Sequence, residues 1–358
     1  MIVKNEAAVI ARCLESLKPI LDAWCIVDTG STDGTQNIIR SVLKDVPGEL
    51  HERPWKDFGH NRSEAIELAR GKADFLFVID ADDALIVPPR YTFPKLTKDS
   101  YQILVQDAGT SYWRTHFFRS DLDFHYTGVL HEVLVATEKR SQARLSGLVY
   151  QRTGGGSRSA DPNKFRKDAA VLEAALEKEP TNARYAFYLA QSWRDAGELE
   201  KAAAAYEKRA GMGGWEEEVY FSLHELGKIY GKLGRDDEVI MQAYLKAFER
   251  RPTRAEPLCD LAALLREHGR PVAAYPFARA AAEIPRPDDI LFVDDSVYAW
   301  RAQDEYAVSA YWAGRYKEGM AVNQRLLSGT ALPEKERARV QKNMAFCREK
   351  AGAGAKAK

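Results

Sequence analysis

Along the first 85 positions, apolar residues come in short unbroken runs, and the stretches between them carry helical spacing. Ile2-Val3 opens the series as a very short strand with almost nothing before it, so that either the chain starts abruptly or residues upstream are missing. A helix follows on which Leu14, Leu17 and Leu21 share one face, with Asn5 as its cap. Trp24 to Asp28 reads as a second strand; the loop TGSTDGT then leads into a helix from Thr35 to about Leu43. A third strand near Glu49 to Arg53 precedes a helix in which Ile66, Leu68 and Ala69 face a sheet. Asn61 and Glu64 have capping-box spacing there, and Gly71 stops the helix. Phe75 to Ile79 is unbroken and predicts a strand buried on both faces, in the middle of a parallel sheet. Strands and helices alternate throughout, which predicts an α/β domain with a parallel sheet.

The period changes after Tyr101. Four short strands are expected in YQILVQD, YWRTHFFRS, GVLHEVLV and LSGLVYQR, the third placing His131 and Glu132 inside a strand. TGGGSRSADPNK, residues 153–164, has the composition of a linker. Helical spacing then continues almost to the end, and it repeats. Gly197, Gly234, Gly269 and Gly314 each close a helix in a similar frame, at spacings of 37, 35 and 45 residues. A period near 34 with small residues at fixed helical positions predicts a solenoid of paired helices. FRKDAAVLEAALEKEP reads as a lone leading helix that caps the stack. The expected division is residues 1–152, a linker at 153–164, repeats over 165–350 and a disordered tail at 351–358.

Composition narrows the function. Lys plus Arg and Asp plus Glu both number 52 in 358 residues, so no global positive charge points to nucleic acid. There is no apolar run of membrane-spanning length and no signal-peptide pattern. The four cysteines, Cys13, Cys25, Cys259 and Cys347, are scattered without metal-ligand spacing, and a reducing, cytoplasmic compartment is the expectation.

Candidate chemistry concentrates where the fourth strand ends, at Asp80, Asp82 and Asp83. Three adjacent carboxylates repel one another unless a cation sits among them, and Mg²⁺ or Mn²⁺ with oxygen ligands and phosphates suits such a cluster. A bare Asp-x-Asp is a weak signal, since Asp121 and Asp123 repeat it in an unremarkable context. Asp28 stands at a strand end where doubly wound folds place ligand contacts. Asp33 and Thr35 read as helix caps, and Arg62 either reaches an anionic ligand or is solvated. His131 is either a metal or phosphate ligand or a satisfied strand residue.

MIVKNEA, IVDTGSTDGT, NRSEAIELARG and FLFVIDADD, taken as an ordered set, resemble the donor half of family 2 glycosyltransferases. The resemblance implies a GT-A, Rossmann-like mixed sheet followed by an all-α tetratricopeptide-like solenoid. It implies a metal-dependent, inverting transfer of a hexose from a nucleotide-sugar, with UDP as the nucleotide and Mn²⁺ or Mg²⁺ as cofactor. Some repeat-bearing relatives glycosylate peptides or proteins, so a protein or peptide acceptor docked on the repeats is expected, with homodimerisation through them second. In that frame Asp28 hydrogen-bonds the base near Val3, Lys4, Asn5 and Glu6, and Arg62 lies by the base or diphosphate. Asp80 contacts ribose or metal, Asp82 holds the cation, and Asp83 is the weakest of the three acids. His131-Glu132 stands where the family has Glu-Asp, which makes Glu132 the candidate base, His131 a metal or diphosphate ligand and Asp107 a reserve. Ser63 replaces a common Asn. Two other readings stay open. A nucleotidyltransferase uses a similar fold but normally a Gly- and Arg-rich loop where this chain has KNEAAVIAR. A non-catalytic repeat scaffold with a relic nucleotide-binding domain is the other.

Overall fold

The computed structural model describes residues 1–107 and 110–356, and the chain divides into two compact units after Lys178. The first unit is α/β. Its order is β1 (Ile2–Val3), α1 (Ile10–Leu17), β2 (Trp24–Asp28), α2 (Thr35–Val42), β3 (Gly48–Glu52), α3 (Phe58–Ala69) and β4 (Phe75–Phe77). Then come β5 (Ala84–Ile86), β6 (Ser100–Asp107), β7 (Thr110–Arg119), β8 (His125–Thr127), β9 (Val133–Val135), β10 (Gln142–Gln151) and α4 (Lys164–Lys178).

The expected parallel sheet is only partly parallel. β1, β2 and β3 form a parallel set in that order. β4 pairs antiparallel with β7, at the edge of a five-stranded sheet ordered β4-β7-β6-β10-β5. β4 is three residues long and only half-buried, so the reading of a central strand buried on both faces is corrected. On its open side a cavity of about 500 Å³, lined by Leu14, Leu17, Trp24, Ile26, Phe75 and Phe77, separates it from β2. An apolar run therefore reported a strand against a hydrophobic space rather than one flanked by two neighbours. Apolar clusters of the unit include one gathering Ile10, Leu14, Ile26 and Ile39 beside the parallel strands, one of Ile79, Ile103, Phe117 and Tyr150, and one of Ile66, Phe118, Phe124 and Tyr126.

Three local expectations change as well. Asn5 caps nothing; α1 starts later, and Asn5 takes a left-handed φ of 56° that turns the chain toward a neighbouring loop. Asn61 lies inside α3, where Asp57 is the cap through His60 N; the fully buried Asn61 amide accepts from Lys56 N and donates to Pro54 O. His131 and Glu132 sit in the turn between β8 and β9 rather than in a strand, because Gly128 and His131 both take positive φ, 103° and 53°.

The second unit is helical throughout: α5 (Ala183–Asp195), α6 (Leu199–Gly211), α7 (Glu216–Lys232), α8 (Asp237–Arg250), α9 (Glu256–Glu267), α10 (Pro271–Glu283), a π-helical turn at Val297–Arg301, α11 (Ala302–Trp312), α12 (Tyr316–Ser328) and α13 (Glu334–Lys356). The four predicted glycines follow α5, α7, α9 and α11 with φ of 77°, 64°, 73° and 73°, the left-handed conformation that closes a helix and starts its partner. At Gly227 a Cβ would lie 2.4 Å from the Tyr244 ring, which explains the small residue at that repeat position. The leading helix α4 falls in the first unit, and the boundary lies at 178/179 rather than within the glycine-rich stretch. The tail expected to be disordered continues α13 to Lys356, with Ala357 and Lys358 outside the described residues. No described helix is long and apolar enough to cross a membrane, and all four cysteines are free.

Candidate functional site

The strand ends of the first unit carry the candidate chemistry. β2 finishes at Asp28, whose carboxylate is wholly buried. Its Oδ1 accepts from Gly30 N and Ser31 N, both at 2.7 Å, so the strand end and the loop after it are locked together. Its Oδ2 has no hydrogen-bond partner among the described residues. The loop is stitched to the one after β1. Asn5 N donates to Ser31 Oγ and Thr32 N to Asn5 Oδ1, both at 2.8 Å; Glu6 N reaches Thr35 Oγ1 at 2.8 Å and Ala7 N reaches Asp33 Oδ2 at 2.9 Å. Asn5, Asp33 and Thr35 thus join two loops, a role that local capping patterns do not reveal. Val3 has its side chain in the core, and its carbonyl accepts from Thr29 N at 2.9 Å and Thr29 Oγ1 at 3.1 Å.

Arg62 gathers a second group. Its Nη2 lies 2.5 Å from Asp80 Oδ1 and its Nε 2.7 Å from Glu132 Oε1, with the guanidinium 5.6 Å over the Tyr126 ring. The arginine is therefore partnered on both sides and not a solvated surface residue. Burial alone would raise the Asp80 carboxyl; the Arg62 charge overcomes it and holds the acid below its ordinary value. The two carboxylates in turn hold the guanidinium above its own, against its burial. Ser63 explains how Glu132 arrives there. Its hydroxyl accepts from Tyr126 N at 2.9 Å and donates to Tyr126 O at 3.1 Å, which ties α3 to β8. Gly59 lets the helix approach closely, since a Cβ there would stand 2.3 Å from Gly128 O. The turn between β8 and β9 is thereby delivered to Arg62.

The three acids after β4 separate by role. Asp83 is buried, accepts from Tyr150 Oη at 2.7 Å and from Thr153 N at 3.1 Å, and is structural; burial pushes its carboxyl up. Asp80 belongs to Arg62. Asp82 Oδ2 accepts from Gly156 N at 3.3 Å. No group of three or more His, Cys, Asp or Glu side chains is placed to hold a metal among the described residues, and His131 is exposed in its turn. A single carboxylate such as Asp82 is nonetheless a fitting protein ligand for a cation that takes its remaining oxygens from phosphates and water. Asp107, the reserve base, pairs with Arg152 at 3.3 Å.

The glycine-rich stretch read as a linker is part of this site. Thr153 Oγ1 donates to Asp82 O at 2.5 Å, and Arg12 Nη2 bridges Asp82 O at 2.8 Å and Gly154 O at 3.2 Å. Ser157 Oγ donates to Lys4 O at 2.9 Å and Ser157 N to Glu6 Oε2 at 3.3 Å. Burial, with Asp82 nearby, raises the Glu6 carboxyl despite that bond. A Cβ on Gly156 would stand 2.9 Å from Asp82 Oδ2, so any larger residue would have to push the Asp82 carboxylate aside. Residues 153–157 form a strap over Lys4, Glu6 and Asp82. The signal that could have found it is three glycines directly after a strand that ends beside acids. Behind the acids, His116 Nδ1 bonds Val78 O at 2.9 Å and its ring stacks on Tyr150 with centroids 4.2 Å apart. Burial pushes the His116 imidazole down to about 4.

Residues 1–118 match the family described as glycosyl transferase family 2. A glycosyltransferase of the SPbeta prophage in Bacillus subtilis, SunS, is 26% identical over 201 residues, covering 52% of this chain and 47% of that protein. A TPR repeat-containing protein of Synechococcus elongatus is 38% identical over 88 residues, covering 24% of this chain and 20% of that protein. The chain thus spans less than half the length of either relative. The solved structure of MamA covers 54% of this chain and 92% of its own at 15% identity and a TM-score of 0.35. The similarity to glycosyl transferase family 2 thus covers the first third of the chain.

Proposed function

We propose that the first unit transfers a hexose from a nucleotide-sugar, with UDP as the nucleotide, to an acceptor in a single inverting displacement. The observation that carries the reading is Asp28 Oδ2, a fully buried carboxylate oxygen left without a donor. Such an atom is costly unless something supplies an N–H, and the imide N–H of uracil is a donor of the right kind. The stitched loops around Lys4, Asn5 and Glu6 would form the wall beside the base, with Val3 acting through its backbone. Arg62 and Asp80 would contact the ribose and the diphosphate, since a guanidinium suits phosphate oxygens.

Asp82 would hold a divalent cation, with His131 as a further ligand or diphosphate contact. When bound, Mn²⁺ or Mg²⁺ would neutralise charge on the departing diphosphate. Glu132, which lies 2.7 Å from Arg62 Nε, would accept the proton of the acceptor hydroxyl. Engagement of Arg62 by a diphosphate would loosen that pair and free the carboxylate for the acceptor. The helical repeats would dock a protein or peptide acceptor, with pairing of two copies as their second use. The chain would work in a reducing, cytoplasmic setting.

The test is release of UDP from a panel of UDP-sugars with Mn²⁺, with and without EDTA, compared with an Asp82→Ala variant. Metal-dependent release by the parent and its loss in the variant are expected. No release from any donor, or equal release by both proteins, would sink the reading.

A further inference from the structure

The longest spacing between repeat glycines, 45 residues, holds a non-helical segment between α10 and the π-helical turn. Its residues Asp289-Ile290-Leu291-Phe292 do not loop away from the repeats but lie on α7 and on the turn between α8 and α9. Glu217 Oε2 accepts two successive backbone N–H groups, Ile290 at 3.0 Å and Leu291 at 2.7 Å. Arg254 donates to the next two carbonyls, Leu291 O at 3.2 Å and Phe292 O at 3.1 Å. The Asp289 carboxylate, its side chain 6% exposed, is clamped bidentately by Arg251 and reached by Arg254 Nη1 at 3.3 Å. Those hydrogen bonds, Arg251 first, hold the acid below its ordinary value. The Phe292 ring packs on Phe221 with centroids 4.8 Å apart.

This is how a receptor reads an extended peptide. Main-chain groups are held at both edges regardless of sequence, the acid is enclosed, and the aromatic three positions on lays one face on Phe221 while 54% of it stays exposed. The intervening Ile290 is 81% exposed, so it contributes nothing to the contact through burial. Phe292 takes a left-handed φ of 46°, a strained conformation for an aromatic residue, and only the surrounding contacts maintain it. Arg254 is 1% exposed; part of that cover is the segment itself, while Glu256 and the Tyr220 ring hold the guanidinium from behind. With the segment removed, an oriented guanidinium fork and the Glu217 carboxylate would face solvent.

We propose that Glu217, Phe221, Arg251 and Arg254 form a peptide-recognition groove in which residues 289–292 are an internal ligand. The external partner is an extended peptide with an acidic residue three positions before an aromatic one, and it binds by displacing the segment. The inference is independent of the sugar-transfer reading, because binding to the repeats needs neither donor nor cation. A tethered segment acts at an effective concentration on the order of 1 mM, so a peptide with an intrinsic Kd of about 100 μM binds the closed groove about tenfold more weakly.

The experiment is fluorescence anisotropy with a labelled peptide of residues 287–294 and the full chain, as parent and as the double variant Asp289→Ser with Phe292→Ser. The peptide should bind the opened variant about tenfold more tightly than the parent. Adding Glu217→Gln to the opened chain, or replacing the acid at position 289 of the peptide, should remove that gain. A folded opened variant that binds the peptide no better than the parent overturns the proposal. Should the opened variant fail to fold, hydrogen exchange at Ile290 and Leu291 in the parent decides. Exchange through local opening, well ahead of the α7 core amides, supports a displaceable ligand; exchange only on global unfolding refutes it.

Discussion

Acidifying the protein should weaken the first unit through His116. The imidazole has an ordinary value of 6.5 and is pushed down to about 4 in the folded chain, chiefly by burial. A base whose folded value is depressed favours the neutral form, so its contribution is complete above about pH 6.5. It is lost as pH falls from there through 4, because the unfolded chain takes up the proton first. At 1.36 kcal/mol per unit the whole effect is about 3 kcal/mol, of which about 2 kcal/mol is gone by pH 5. His116→Phe keeps a ring against Tyr150 and cannot titrate, but forfeits the bond to Val78 O, at a cost of about 1 kcal/mol near neutral pH. The parent should therefore be the more stable protein at pH 7.5 and the less stable at pH 5. Urea titrations at both pH values, read by hydrogen exchange of β6 and β7 amides in the same unit, measure this. Parallel stability profiles for the two proteins between pH 7.5 and 5 would refute the account of a buried neutral imidazole.

Glu132→Gln should lower sugar transfer by about 100-fold or more while UDP binding, measured by calorimetry, stays unchanged; loss of both would move Glu132 from proton transfer to donor binding. Arg62→Met leaves Asp80 and Glu132 without the cation between them. It should destabilise the first unit by about 2 kcal/mol, less than for a fully buried pair because the Asp80 side chain is 39% exposed; an unchanged melting temperature would contradict it. Gly227→Ala forces a methyl to 2.4 Å from Tyr244 and should cost the repeats about 1–3 kcal/mol in thermal unfolding, with donor turnover intact.

The alternation of strand and helix, the run of β-strands after Tyr101 and the repeat glycines were all legible, because each rests on a period or a turn residue that local sterics enforce. Which strands pair was not. Phe75 to Ile79 shows hydrophobicity on both faces, yet nothing in those five residues distinguishes a neighbouring strand from a cavity. Asp28 and Arg62 could be singled out by position along the chain, whereas the Arg62–Glu132 pair depends on Ser63 gripping Tyr126, a contact 63 residues away in sequence. The same limit hid residues 153–157. Composition reports conformational freedom, whereas Gly156 lies so close to the Asp82 side chain that a Cβ would displace its carboxylate. Likewise, the 45-residue glycine spacing did not disclose that the extra chain lies on the repeats themselves.

The strap also sets an order of events. Its bonds span 71 residues from Thr153 to Asp82 and 153 from Ser157 to Lys4. Contacts so distant in sequence form late, since the intervening chain must be ordered before they repay closure. During synthesis, which runs from the amino end, the acids at 80 to 83 emerge long before the segment that covers them. The acids at 80 to 83 therefore stay uncovered until Ser157 has left the ribosome and the strap can close over them. A fragment cut at residue 152 would leave them uncovered for good.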